Sequence, residues 1–272
     1  MAKFSVLMSV YIKEKPEYLD ECFKSLLRQT TKADEWVVVE DGPLTKELYD
    51  VLDSYERDYP GLIKRVRLNK NQGLGLALRA GVPECKNELI ARMDTDDIAR
   101  DDRFEKQLAC FDKDSFLDIC GSNIDEFEGS PQNIVAKRIV PTTHEDIVKY
   151  QKKRDAFNHM TVMYKKQCVL DAGNYQHCPL MEDSYLWARM MKNGAHSANI
   201  AEPLVYARIG RDMFERRGGW KYFLKYRNGR KQILATGFIS YTEYLETIAI
   251  QFIVALMPRL LRGFLFKKIL HS

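Results

Sequence analysis

The chain has 272 residues, 45% hydrophobic and 29% charged, which suits one large domain, or a domain with a smaller appendage, and excludes disorder. Nine prolines and fifteen glycines exclude a low-complexity protein. The net charge of +4 is unevenly spread, with 13 Lys/Arg against 4 Asp/Glu in residues 208–272 and 29 against 34 in the rest, so the basic end points to an anionic partner, nucleic acid or membrane.

The elements alternate from the start. Phe4–Val10 is a short apolar run and predicts a buried strand. Pro16–Gln29 follows, opened by proline, with Leu19, Cys22, Phe23, Leu26 and Leu27 at helical spacing. Glu35–Glu40 (EWVVVE), bounded by Asp41-Gly42, predicts a second buried strand. A helix is expected over Leu44–Tyr59, a strand over Ile63–Leu68, a short helix over Leu74–Ala80 and a strand over Glu88–Met93. A helix over Arg103–Phe111 and a strand over Leu117–Ile124 complete this half. Such alternation implies βαβ units, hence a parallel sheet with helices on both faces, whose ligands bind beyond the carboxyl ends of the strands. Polar residues collect at those ends: Tyr11, Asp41, Asn69–Asn71 and Asp94–Asp97.

Beyond residue 125 the pattern is less regular. Ile134–Val140 and Leu204–Ile209 read as strands, Thr143–Arg154 as a helix with Thr143 as N-cap, and Asp183–Asn193 as a helix stopped by Gly194. From Trp220 the pattern is helical. The last stretch is apolar but broken by Pro258, Arg259 and Arg262, too short for a spanning helix and better suited to lie in an interface. Six cysteines without CxxC pairing, and an N-terminal apolar stretch too short for a signal peptide, predict free thiols in a reducing cytoplasm.

The strongest local chemistry is Arg92-Met-Asp94-Thr-Asp96-Asp97. Carboxylates at this spacing on a tight turn can converge on one hard divalent cation, Mn²⁺ or Mg²⁺, which leaves positions open for substrate phosphates. A solvated acidic turn is the plainer reading, disfavoured by its place at a strand's carboxyl end. Met181-Glu182-Asp183 starts a helix after a proline loop. Acids there complement the helix dipole, and beside the first cluster one of them could serve as the general base that transfer to an alcohol requires. Asn69–Gly75 is a glycine-bearing turn at a helix start, a weak phosphate signal. His159 reads alone as a structural residue. Arg216-Arg217-Gly218-Gly219 is either a solvated turn or a diphosphate grip.

Taken in order, SVLMSVY, the Glu-Asp-Gly after the second strand, NQGLGLALRAG, ARMDTDD and MEDSYLW resemble glycosyltransferase family 2, of GT-A fold, over roughly residues 3–210. The likeness extends to bacterial exopolysaccharide and O-antigen enzymes of the amylovoran-biosynthesis type, in which an RRGG-like motif recurs. The resemblance implies a Rossmann-like, mostly parallel α/β sheet with a helical, basic C-terminal extension. It gives a catalytic domain, 1–210 (nucleotide-sugar half 1–125, acceptor half 126–210); the basic, apolar region 211–272 reads from its composition as membrane-associating, with a helix packed on the domain or a dimer contact as the alternative. Tyr11 and Asp41 would hold the nucleotide base, Lys70 and Gly73 would line its pocket, and Arg92 would meet base or phosphate. Asp94 and Asp96 match the family's Asp-x-Asp, extended by Asp97; one acid meets the ribose and another the metal. Asp183 matches the catalytic base, with Glu182 beside it and His159 in the acceptor segment, and Arg216 or Arg217 would meet a diphosphate. The implied reaction is inverting transfer of a hexose, galactose or glucose, from a UDP-sugar to a saccharide on a polyprenyl diphosphate in bacterial surface-polysaccharide synthesis. The implied setting is the inner face of the cytoplasmic membrane, with an anionic lipid surface and no nucleic acid as partner.

Three rivals differ in class. A phosphohydrolase using one Asp of Asp94-Thr-Asp96 as nucleophile would carry its acid pair after the first strand, whereas here it follows the fourth. A nucleotidyltransferase would carry a Gly-rich basic loop after the first strand, where this chain has Val10-Tyr-Ile-Lys-Glu-Lys. A non-enzymatic binder would need no Asp183.

Overall fold

The computed structural model describes residues 2–210 and 219–257. Arg216, Arg217 and the expected interfacial stretch from Pro258 lie outside the described residues. The strands are β1 (Phe4–Val10), β2 (Glu35–Glu40), β3 (Ile63–Arg67), β4 (Leu89–Arg92), β5 (Ile98–Ala99), β6 (Leu117–Phe127), β7 (Ile134–Arg138), β8 (Met163–Lys165) and β9 (His196–Arg208). The helices are α1 (Pro16–Arg28), α2 (Lys46–Asp58), α3 (Leu74–Glu84), α4 (Arg103–Lys113), α5 (His144–Gln151), α6 (Lys166–Asp171), α7 (Glu182–Lys192), α8 (Trp220–Ala235) and α9 (Tyr241–Leu256).

One sheet runs β3-β2-β1-β4-β8-β6-β9-β5, with β7 added to β6. β3, β2, β1 and β4 are parallel, so their carboxyl ends share one edge. β1 and β2 are near-continuous apolar runs because both faces are covered. On one face α1, α2 and α4 pack Phe23, Leu48 and Phe104 against Val6, Val38 and Ala91. On the other, α3 and α7 pack Leu78 and Trp187 with Leu7, Val39 and Tyr164.

Past β4 the chain departs from its sequence pattern. The three-residue β8 pairs antiparallel with both β4 and β6 and joins the halves of the sheet; too short to show a period, it is not expected from sequence, and neither are β5 and α6. β9 begins eight residues before the expected Leu204. Pro203 interrupts its pattern, and the register shifts around Ser122–Ile124 absorb the break; Asn123 Nδ2 donates to the Ala201 carbonyl at 2.8 Å. Helix α3 runs past the expected Ala80 and through Pro83. Proline removes the amide that would have met the Arg79 carbonyl, and Asn174 Nδ2 donates to that carbonyl instead, at 3.0 Å. Thr143 caps α5 as expected, accepting from the Asp146 amide.

Helices α8 and α9 form a hairpin docked on α7 through Met181, Ala188, Ile233, Phe238 and Ile239. Gly229 lies directly beneath Met181, where a Cβ would stand 2.7 Å from its sulfur. Ser240 and Glu243 form a capping box at the start of α9. Among the described residues, no helix is long and apolar enough to cross a membrane.

Candidate active site

The parallel edge collects the expected polar residues. At the end of β2, Asp41 is buried, and its carboxylate accepts from the Gln72 amide at 2.7 Å and the Gly73 amide at 2.9 Å. Both of its oxygens therefore hold the loop that leads into α3. Gly42, at φ +85°, packs so tightly under that loop that a Cβ would lie 2.5 Å from the Asn71 nitrogen. Gly73 takes φ +87° as the N-cap of α3, a conformation few other residues adopt. Tyr11 and Lys70 are exposed beside this loop.

At the end of β4, Asp94, Asp96 and Asp97 bring carboxylate oxygens within 4.8 Å of one another. Burial, then the neighbouring Asp94 and Glu14, push Asp96 up to about 7. Burial and the same cluster raise Asp97 well above the usual range. Three crowded carboxylates with this much self-repulsion are a donor set that a hard divalent cation fits, since its charge relieves the repulsion. The turn is firmly held: Thr95 Oγ1 donates to Glu14 at 2.9 Å, and the Cys22 thiol lies 3.4 Å from the Asp94 carbonyl.

Arg208, at the end of β9, is a member of this site that the sequence reading missed. Its amide donates to Asp97 Oδ1 at 2.7 Å and its Nε to the Asp96 carbonyl at 3.0 Å. Its guanidinium pairs with Glu21 and sits between the Tyr18 and Phe127 rings. No spacing in the sequence links positions 97 and 208; the β5–β9 pairing of Ile98 with Tyr206 creates the contact.

Arg92 is 1% exposed, and its Nη2 lies 2.5 Å from Asp94 Oδ1. Burial works against its charge, but Asp94, with Tyr175 and Asp97, outweighs it and the net shift is upward. Its Nε and Nη1 are buried and have no hydrogen-bond partner.

The second acid pair reaches the same site through β8. The Arg92 amide donates to the Val162 carbonyl at 2.8 Å, which brings the 3₁₀ turn His159–Thr161 alongside the end of β4. His159 Nε2 lies 3.0 Å from the Tyr175 hydroxyl, and its Nδ1 lies 3.9 Å from Asp183 Oδ2. Burial, then Arg92, depress His159 and keep the ring neutral. In the tautomer in which Tyr175 donates to Nε2, the Nδ1 proton is on the side of Asp183. Asp183 is in the first turn of α7 and accepts from the Ser184 amide at 2.8 Å. Burial, then Asp155 and Glu182, push it up to about 8. Burial also raises Glu182, and Arg92 and Asp94 are near enough to act on it. A cleft of about 290 Å³ opens between Gln72–Leu76 and Gln176–Glu182. Tyr175 and Asp155 were also absent from the sequence reading, because neither belongs to a motif.

Acids of raised pKa at the end of β4 and at the start of α7, with a neutral histidine beside the second pair and Arg92 paired to the first, suit a group transfer in which one carboxylate accepts a proton and others organise a charged leaving group. Comparison with known proteins agrees with this class. The family model described as Glycosyl transferase family 2 matches residues 5–169. The chain is 39% identical to the amylovoran biosynthesis glycosyltransferase AmsE of Erwinia amylovora, over 97% of this chain and 98% of that protein. It is 37% identical to a UDP-Gal:alpha-D-GlcNAc-diphosphoundecaprenol beta-1,3-galactosyltransferase of Escherichia coli, over 99% of this chain and 97% of that protein. In fold it resembles S. aureus TarS 1–349 crystallised with UDP-GlcNAc, with TM-score 0.65 and 17% identity over 97% of this chain and 72% of that one. It also resembles the mannosyltransferase PcManGT of Pyrobaculum calidifontis in complex with GDP-Man and Mn²⁺, with TM-score 0.63 and 11% identity over 94% of this chain and 70% of that one. The chain has the GT-A architecture and belongs to glycosyltransferase family 2.

Proposed function

We propose that this glycosyltransferase is a metal-dependent, inverting hexosyltransferase that moves galactose from UDP-galactose to a GlcNAc-type sugar on a polyprenyl diphosphate, as one step in building a bacterial surface polysaccharide. UDP-glucose is the second donor to test. The donor and acceptor follow the relative named for UDP-Gal and GlcNAc-diphosphoundecaprenol. The observation that carries the chemistry is Asp183, whose carboxyl is pushed up to about 8, beside Glu182, which feels Arg92 and Asp94, together with the converging carboxylates of Asp94, Asp96 and Asp97.

The residues divide the work as follows. Asp183 takes the proton from an acceptor hydroxyl as that oxygen attacks C1 of the sugar and the bond from C1 to the UDP oxygen breaks. Its environment keeps it basic enough to accept the proton near neutral pH. Neutral His159 offers its Nδ1 proton toward Asp183 and steadies the carboxylate, and its place beside the base also puts it against the acceptor, with Glu182. Asp94, Asp96 and Asp97 would hold Mn²⁺ or Mg²⁺, which when bound supplies positive charge against the leaving diphosphate. Arg92, paired with Asp94, would meet the same phosphates or the base. Tyr11, Lys70 and the Gly73 loop form the nucleoside rim. Asp41 positions that loop, and its remaining lone pairs are what it has for the base. Arg216 and Arg217 would close on a diphosphate from the segment outside the described residues. In this reading residues 1–125 serve the donor, 126–210 the acceptor and 211–272 the membrane that carries it, at its cytoplasmic face.

The test is transfer itself. UDP-galactose, a GlcNAc-diphosphate lipid and Mn²⁺ should give a β-linked disaccharide-lipid, and EDTA should stop it. Failure with both UDP-galactose and UDP-glucose would overturn the donor assignment.

A further inference from the structure

Helix α9 turns an apolar face outward. Tyr241, Leu245, Ala249, Phe252, Ile253 and Leu256 recur every three or four residues and are all exposed, Ile253 at 57% and Leu256 at 65%. That periodicity makes one stripe along a helix roughly 24 Å long. The opposite face is spent on the protein: Thr247 bonds Arg230, and the hairpin contacts run along α8. Glu246, the one charged residue exposed on α9, pairs with Lys153 at 2.8 Å. At the end of the stripe, Trp220 stacks on Phe223 at 5.2 Å, meets Phe252 edge-on at 6.3 Å, and is itself 56% exposed. A stripe this long and this apolar is not ordinary water-facing surface.

The charges beside it select the occupant. Helix α8 has no acidic residue, and Lys221, Lys225, Arg227 and Lys231 are exposed along it. The sequence that follows α9 adds Arg259, Arg262, Lys267 and Lys268 among leucines and phenylalanines. Two copies meeting through this hairpin would bring like charges together, whereas an anionic bilayer meets both the apolar stripe and the cations. An exposed tryptophan beside lysines is also what a lipid–water interface favours.

We propose that the α8–α9 hairpin is a folded docking face for an anionic lipid surface, with the α9 stripe and Trp220 entering the interface. This rests on the reading that the acceptor is lipid-linked; it adds that the domain itself, and not the C-terminal stretch alone, contacts the bilayer. Because the hairpin is packed on α7, docking would fix where Asp183 stands relative to the lipid.

The experiment uses the full chain with vesicles of phosphatidylcholine containing one-third phosphatidylglycerol, read by flotation and by tryptophan emission. Trp36 and Trp187 are buried, so a blue shift on vesicle addition reports Trp220. The parent should float and shift to the blue. The triple variant Leu245→Ser, Ile253→Ser, Leu256→Ser should partition roughly 10²-fold less and lose the shift. Binding of the variant equal to the parent's, or floating without a blue shift, would overturn the proposal and leave docking to the residues after α9. A variant that dissociates a parent dimer while binding vesicles as before would also overturn it, in favour of an interface between copies. Donor hydrolysis measured without vesicles should be the same in parent and variant. If neither transfers galactose or glucose from UDP to a soluble GlcNAc-diphosphate lipid analogue while docking holds, the proposed donor and acceptor fail and the docking face stands.

Discussion

The sharpest consequence of the site concerns pH. Asp183 works as a base only when ionised, and its carboxyl is pushed up to about 8 by burial, Asp155 and Glu182. At pH 7 only about one-tenth of the free protein would carry the ionised base, and at pH 9 about nine-tenths. kcat/KM measured at sub-saturating donor and acceptor and constant ionic strength, which reports the free protein, should therefore rise about tenfold between pH 7 and pH 9. Asp183→Asn should lose roughly 10²–10⁴ in rate at every pH while binding UDP as the parent does. Asp155→Asn removes a negative charge that raises Asp183, so its limb should move to lower pH and its rate at pH 7 should exceed the parent's. The assay is initial-rate detection of released UDP with a soluble GlcNAc-diphosphate lipid analogue. A flat profile from pH 7 to 9, or an Asp183→Asn protein with more than a tenth of the parent rate, would refute the assignment of the base.

Other consequences follow from the same geometry. Because the folded-state carboxyl of Asp183 lies above its unfolded value near 4, its contribution to stability is full below about pH 4 and lost as pH rises through about 8; Asp183→Asn should thus raise the melting temperature at pH 9 and not at pH 4, as calorimetry would show. Mn²⁺ with UDP at a hundred times their dissociation constant should raise Tm by roughly 5–10 °C, reversed by EDTA. Arg208→Met frees the Asp96–Asp97 turn from the guanidinium that grips it and should weaken Mn²⁺ affinity roughly tenfold or more by calorimetric titration, the usual scale for a residue that orients ligands. Gly42→Ala places a Cβ 2.5 Å from the Asn71 nitrogen at φ +85° and should cost about 1–3 kcal/mol in denaturant unfolding, with a raised KM for donor.

The half of the fold that binds nucleotide in this reading was legible because its signals are local. Strands β1, β2 and β4 are largely apolar runs with polar residues at their carboxyl ends, and a parallel sheet brings those ends together wherever the helices lie. The acidic turn at Asp94–Asp97 and the acids opening α7 could be read from a few adjacent letters. The interior of the second half could not. β8 is three residues long and gains its stability from two neighbours, and β9 is interrupted by Pro203 and completed by register shifts. Helix α3 passes through Pro83, and Asn174, 91 residues on, takes over the carbonyl the proline abandons. The missed site residues share this character: Arg208 reaches the acidic turn across the sheet, and Tyr175 reaches His159 from a loop. Asp41 was legible as a site residue, but its hold on the Gln72 and Gly73 amides was not, because an aspartate–glycine turn does not say which amides will face it.

The most direct measurement is the product of a single reaction: UDP-galactose, a GlcNAc-diphosphate lipid and Mn²⁺, with parent and Asp183→Asn protein side by side, analysed by mass and by the anomeric coupling of the new linkage. A β-galactosyl lipid from the parent, none with EDTA and almost none from the variant is the predicted result. An α-linked product, or equal product from both proteins, would contradict the single displacement with Asp183 as its base.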